Sequence, residues 1–219
     1  MIKYTIFDMD GTLLDSMHQW RNVLYEYVKA QNYKFINDEL IEELMGQPAF
    51  SGITKLIRDN GYDFDEEAAQ KGILRMMAHH YVTDIKIKDG VPEVLEQYRR
   101  AGVPMCVITA TAHRECEEAL RYHGLFDYFD FILTDEDFPR GKYGEEIFLE
   151  ALSRFGAAPG DTLLFDDALY SLKTGKRVGL RLAGVEDETQ ADHRAEIYSI
   201  SDIYIRSFSD FRPGVTDRI

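Results

Sequence analysis

The chain has 219 residues, 45% of them hydrophobic and 29% charged, which suits a globular protein able to bury a full-sized core without covalent staples. Its 39 acidic and 25 basic residues leave a formal net charge of −14, which argues against nucleic acid as a partner, because phosphate backbones are gripped by clustered Lys and Arg. Two cysteines, Cys106 and Cys116, make no disulfide framework, and no apolar run approaches the ~18 residues of a membrane span, so a soluble, cytoplasmic protein with no membrane partner is expected.

Residues 4–7 are a short apolar run that stops at Asp8. They predict a buried strand whose carboxyl end carries Asp8 and Asp10, broken by Gly11-Thr12. Charges this early in the chain do not have the form of a secretory signal. Residues 16–84 then read as helical throughout. Trp20, Val23, Leu24, Tyr27 and Val28 recur at helical spacing, followed by Leu40, Ile41, Leu44 and Met45, by Phe50, Ile53, Leu56 and Ile57, and by Ala69, Ile73, Met76, Met77 and His80. Breaks at residues 32–37, 46–48 and 60–61 divide the segment into four helices, which suggests a small bundle. His80 falls on the apolar stripe, and the His79-His80 pair lacks the partner spacing of a metal site.

After Asp89-Gly90 the rhythm changes. Helices are predicted at residues 91–101, 113–123, 145–155 and 169–177, and strands at 104–108, 129–133, 162–165, 180–185 and 203–205. Regular alternation with short links is the signature of a parallel sheet covered by helices on both faces. The expected fold is therefore α/β, a doubly wound parallel-sheet core of residues 1–15 and 86–219, with the helical residues 16–85 inserted as a four-helix cap domain. Residues 187–192 read as a solvated acidic loop.

In open parallel sheets, ligands bind beyond the carboxyl ends of the strands. Here those ends carry Asp8 and Asp10, then Thr109, then Asp135, then Asp166 and Asp167, while Lys142 opens the turn into the next helix. Any one of these could be a helix cap or a turn residue, as Asp and Thr commonly are. Their shared placement points to a site instead. Asp8, Asp10, Asp166 and Asp167 cannot share a small site as bare anions without large rises in pKa, and a hard divalent cation such as magnesium resolves the conflict. Magnesium, a lysine, a threonine hydroxyl and loop amides together suit a phosphoryl group.

The run Asp8-Met9-Asp10-Gly11-Thr12-Leu13-Leu14-Asp15-Ser16 resembles the first motif of the haloacid dehalogenase-like superfamily. Thr109 after an apolar strand is similar to its second motif, Lys142 to its third, and Phe165-Asp166-Asp167 before a helix to its fourth. The helical insert directly after the first motif resembles a C1-type cap, as in phosphoglycolate phosphatases and β-phosphoglucomutases. The resemblance implies a small-molecule phosphatase. Asp8 is then the nucleophile that forms an aspartyl-phosphate, and Asp10 the general acid and base. Magnesium is held by Asp8, the Asp10 carbonyl and Asp167, with Asp166 beside them or just behind. Thr109 and the Ala110 amide hold phosphate oxygens, Lys142 neutralises charge, and Met9, Trp20 and Gln47 join the substrate-binding set. The implied partner is a small phosphorylated metabolite. Gln47, Phe50, Ser51 and Trp20 suggest a neutral or partly apolar leaving group.

Two features depart from the pattern. The family often has Lys-Pro where Tyr143 follows Lys142, and Ala168 and Ser171 stand where relatives often have Ser and Gly. The alternatives are a phosphomutase of the β-phosphoglucomutase type and, from a different class, a phospho-accepting signalling or binding protein. Mutases of this kind usually carry a histidine in the first cap helix and basic residues in the cap loop. His18 looks displaced from that place, and the loop around Gln47 has no cation. A receiver-type module is smaller and lacks both the insert and the Asp-x-Asp-Gly-Thr run.

Overall fold

The computed structural model describes residues 2–30 and 65–212. The chain divides into two compact units, one of Met1–Asp15 with Lys86–Ile219 and one of Ser16–Ile85.

The first unit holds a sheet of six strands, β1 (Tyr4–Phe7), β2 (Met105–Thr109), β3 (Phe131–Thr134), β4 (Thr162–Asp166), β5 (Arg181–Val185) and β6 (Ile203–Ile205). Every pairing is parallel and the order is β3-β2-β1-β4-β5-β6. β2 and β4 are buried at all their residues, as strands covered on both faces must be, which explains their near-continuous apolar runs. The order turns back on itself between β1 and β4. That reversal opens a crevice at the carboxyl ends of these two central strands.

On one face of the sheet, Ile147, Phe148, Ala151 and Leu152 pack with Leu169 and Leu172 onto Ile6, Ile108, Leu133, Leu164 and Leu182. Toward the other face the central strands present aromatic rings. Phe7 stacks on Phe165 with centroids 4.4 Å apart and planes 7° from parallel. Tyr98, Phe208 and Phe211 close around Phe165 at 6.1, 6.0 and 5.6 Å. The parallel register sets Phe7 opposite Phe165, and the Asp8 amide continues the ladder by donating to the Phe165 carbonyl at 2.9 Å. The residues that follow these two rings, Asp8 and Asp166, are thereby brought to the same level of the crevice.

In the second unit, α1 (Met17–Ala30) and α2 (Glu66–Tyr81) are described. The predicted stripes at residues 40–45 and 50–57, and Gln47, lie outside the described residues. Trp20 is half-buried and its indole N–H donates to the Tyr81 hydroxyl at 3.2 Å. The apolar stripe of α2 runs Ala69, Ile73, Met77 and Tyr81, all buried, so its last buried position is Tyr81 rather than the expected His80. His80 sits at the edge of the stripe, with Nδ1 2.8 Å from Asp84 and Nε2 3.5 Å from Glu26. A polar ring that finds two carboxylates at the border of the helix pair gains nothing by entering it.

The segment at 187–192 also differs from expectation. Asp187 is buried, not solvated. It caps a short 3-10 helix, Glu188–His193, by accepting from the Thr189 amide at 3.0 Å and the Thr189 hydroxyl at 2.6 Å, and it pairs with Lys88 at 3.0 Å. Among the described residues no helix is long and apolar enough to cross a membrane. Both cysteines are buried and unbridged.

Phe165 is fully buried at the centre of the aromatic layer. Phe165→Ala is expected to lower unfolding stability by about 3–5 kcal/mol, read from the urea midpoint and slope.

Candidate active site

The centre of the crevice is a buried ammonium between two buried carboxylates. Lys142 Nζ lies 2.9 Å from Asp8 Oδ1 and 3.0 Å from Asp166 Oδ2. Removing one partner of such a group would leave a charge without water or counter-charge, so each of the three needs the others. Asp166 is held further by the Ser171 hydroxyl, which donates to Oδ2 at 2.5 Å, and by the Ala168 amide, which donates to Oδ1 at 2.8 Å. Ser171, a departure from the family pattern with no evident role in the sequence, thus fixes a carboxylate of the site.

Lys142 reaches this place from a tight turn, Gly141–Tyr143. Asp135, at the end of β3, accepts from the Lys142 amide at 3.1 Å and fills the space where a Cβ on Gly141 would stand, 2.1 Å from its carboxyl carbon. Tyr143, in place of the frequent proline, stabilises the turn by other means. Its ring stacks on Tyr170 at 4.2 Å, and its carbonyl accepts from the Arg177 guanidinium at 3.2 Å. Lys142 Nζ in turn lies 5.8 Å from the centre of the Tyr170 ring.

Asp167 is the third carboxylate. One oxygen each of Asp8, Asp166 and Asp167 lie within 4.8 Å of one another, and all three residues are buried. The Thr12 hydroxyl donates to Asp167 at 3.3 Å. Gly11, between Asp10 and Thr12, has φ +79°, and a Cβ there would stand 2.6 Å from an Asp167 oxygen. Glycine is required twice over, by the left-handed backbone and by the contact. Asp10 stands at the rim, half-buried, and accepts from the Thr111 hydroxyl at 2.7 Å. The Thr109 hydroxyl accepts from the Thr111 amide at 3.1 Å.

The structure therefore gathers Asp8, Asp10, Thr109, Lys142, Asp166 and Asp167 at one end of the sheet, with Ala110 exposed just past β2. The Met9 side chain is buried in the core, so any part Met9 takes in substrate contact falls to its main chain, whose carbonyl accepts from the Leu13 and Leu14 amides at 2.9 Å. Trp20 belongs to the second unit, with its indole N–H given to Tyr81. The sequence gives no site role to Thr12, Thr111 or Ser171, although Thr12 belongs to the first motif and Ser171 departs from the family pattern. Thr12 and Thr111 lie within two residues of recognised site positions, which is a usable signal, whereas Ser171 reads as an ordinary helix residue.

The electrostatics are those of a site with surplus negative charge. Burial raises the Asp8 carboxyl well above its usual range; Lys142 opposes this, and Asp166, Asp167 and Asp10 reinforce it. Burial pushes Asp167 up to about 8, aided by Asp166 and Asp187 and opposed by Lys142 and Lys88. Burial works against the charge of Lys142, but Asp166 and Asp8 outweigh it, and the ammonium is held well above its ordinary value. One fixed lysine against three crowded carboxylates leaves room for further positive charge. All-oxygen donors of this kind fit a hard divalent cation.

The chain matches the profile of the Haloacid dehalogenase-like hydrolase family over residues 5–185. Among characterised proteins it is 26% identical over 216 residues to validoxylamine A 7'-phosphate phosphatase of Streptomyces hygroscopicus subsp. limoneus, covering 97% of each chain. It is 28% identical to the phosphorylated carbohydrates phosphatase of Thermotoga maritima, covering 82% of this chain and 83% of that one. Among solved structures, CbbY from Rhodobacter sphaeroides in complex with phosphate has the same fold, with a TM-score of 0.80 at 22% identity over 96% of each chain.

With no metal added, the folded protein keeps the Asp167 proton up to about pH 8, whereas an unfolded carboxyl releases it near ~3.9. Between those values the folded state binds more protons than the unfolded state, so stability falls as pH rises through that window. Thermal melts in chelator from pH 5 to 9 are expected to show this decline. Asp167→Asn, with no proton to lose, is expected to flatten it and to melt higher than the parent protein near pH 9.

Proposed function

The chain belongs to the haloacid dehalogenase-like hydrolase family, and from that premise we propose that it is a magnesium-dependent phosphatase acting on phosphate monoesters of small metabolites. The observation that carries this reading is the Lys142 ammonium bridging Asp8 and Asp166 beside Asp167, with Asp10 held at the rim by Thr111. Magnesium fits the cluster because three buried carboxylates face one lysine. Asp8 and Asp167 are the side chains to hold it, with the Asp10 carbonyl. Asp166 already accepts from Lys142, Ser171 and Ala168 and serves from behind. When bound, the cation neutralises carboxylate and phosphate charge and polarises the phosphoryl group.

The rest is the work of this chain's own residues. An Asp8 oxygen attacks phosphorus, an Asp8 oxygen–phosphorus bond forms, and the ester oxygen–phosphorus bond breaks. Asp10 gives its proton to the leaving oxygen. Asp10 then takes a proton from water, the water oxygen attacks the same phosphorus, and Asp8 is released with inorganic phosphate. Lys142 favours the ionised form of Asp8 against burial and offsets phosphate charge. Thr109 and the Ala110 amide hold the phosphoryl oxygens. Thr111 positions Asp10. Selection of the leaving group falls to the unit of Ser16–Ile85. One relative is named for validoxylamine A 7'-phosphate and another for phosphorylated carbohydrates, which favours a sugar phosphate or a related small ester here.

With p-nitrophenyl phosphate or a panel of sugar and polyol phosphates and magnesium, the protein is expected to release inorganic phosphate. Asp8→Asn and Lys142→Met are expected to reduce turnover at least ~10³-fold, and Asp10→Asn at least ~10²-fold. No release from any ester would sink the reading. Isomerised sugar phosphate without free phosphate would instead identify a mutase, and a lasting phosphoprotein a signalling module.

A further inference from the structure

A second, largely buried ion pair lies near the cluster and takes no part in the chemistry above. Lys88 Nζ is 3.0 Å from Asp187 Oδ2 and donates to the Glu186 carbonyl at 2.8 Å. The two side chains are 16% and 5% exposed, so neither charge is a surface ornament. The remaining Asp187 oxygen accepts from the Thr189 amide and hydroxyl, which stops the carboxylate from swinging away.

The pair is built into the same rim as Asp167. The β4–β5 register sets Asp166 opposite Gly184, so Asp187 leaves the neighbouring strand just past the level of Asp167. From the other side, the Lys88 amide donates to the Leu13 carbonyl at 3.0 Å, and the adjacent Thr12 hydroxyl donates to Asp167. The turn after β1 is thus held at one point by Asp167 and at the next by Lys88, which itself grips Asp187. Asp187 and Lys88 are both among the charges felt by Asp167, with opposite signs.

We propose that Lys88 and Asp187 act through Asp167 as a balanced ion pair at the rim of the carboxylate cluster, whose opposite charges set how strongly the cluster attracts a divalent cation. The inference rests on the metal-dependent reading of the site. The cluster then has two lysines with separate duties: Lys142 serves Asp8 and Asp166, and Lys88 cancels Asp187 beside Asp167. Because the pair is balanced, breaking it from either end has opposite electrostatic consequences. Without the Lys88 charge, Asp187 adds uncompensated negative charge next to the cation site. Without the Asp187 charge, Lys88 adds uncompensated positive charge there.

The test is direct binding of Mg²⁺ to the full-length protein without substrate, by calorimetry, with Mn²⁺ paramagnetic resonance as a second probe. Lys88→Met is expected to tighten binding about threefold to tenfold, and Asp187→Asn to weaken it by a similar factor. Lys88→Arg, which keeps the charge, is expected to stay near the parent value. A purely structural role would weaken binding in both charge variants, and that outcome overturns the proposal, as does no change in either. Circular dichroism checks folding; should Lys88→Met not fold, Lys88→Gln, which retains a donor for the Glu186 carbonyl, carries the same prediction. If the parent protein binds neither ion, the metal reading fails and this inference with it. If the parent binds and Asp167→Asn does not, while both pair variants match the parent, the metal reading stands and the inference alone is lost.

Discussion

A lysine ammonium enclosed with carboxylates is the constraint on which the rest of this structure depends. Lys142, Asp8 and Asp166 are all withdrawn from water, so the energy of each charge depends on the position of the other two within a few tenths of an ångström. Much of the surrounding architecture answers that demand. Asp135 fixes the turn that delivers the lysine, Ser171 and the Ala168 amide fix Asp166, and the β1–β4 ladder fixes Asp8. The aromatic layer beneath, centred on the Phe7–Phe165 stack, makes the floor too dense to yield when charge moves above it.

The same arrangement shows how a protein with a strongly negative overall charge can favour an anionic ligand. The long-range field of the chain repels phosphate esters, so attraction must be local and short-ranged. A fixed ammonium with room for a divalent cation provides this where the carboxyl ends of the central strands converge. Burial strengthens these interactions because little solvent remains to screen them.

The core of the fold and most of the candidate site were legible in the sequence for one physical reason. Parallel strands buried on both faces are short apolar runs, and the polar residue ending each run must stand at the sheet's carboxyl edge. Asp8, Thr109, Asp135 and Asp166 each follow that rule, and Lys142 sits in a glycine-flanked turn. What was not legible depends on long-range encounters or on helical phase. Lys88 and Asp187 are 99 positions apart, and nothing local distinguishes Asp187 from its acidic neighbours in 187–192. Ser171 lies on a helix whose azimuth decides whether its hydroxyl meets Asp166 or solvent. The shift of the α2 stripe from His80 to Tyr81 is a drift of one position at the end of four turns, where 3.6-residue periodicity is least exact. Tyr143 shows that a departure from a family pattern need not loosen a turn, since stacking on Tyr170 and the bond from Arg177 restrain it.

The short segments that flank the helical unit are themselves hydrogen-bonded to each other. The Asp15 amide donates to the Lys86 carbonyl at 2.9 Å, and the Lys88 amide to the Leu13 carbonyl at 3.0 Å. The segment from Ser16 to Ile85 therefore leaves and re-enters the sheet unit at two points that are hydrogen-bonded to each other. The entropy of closing such a loop rises only with the logarithm of its length, about 0.6 kcal/mol for each doubling. Insertions, deletions or wholesale replacement between those two points cost the sheet almost nothing. Evolution can thus rewrite that segment while the sheet and the residues at its carboxyl edge are inherited unchanged.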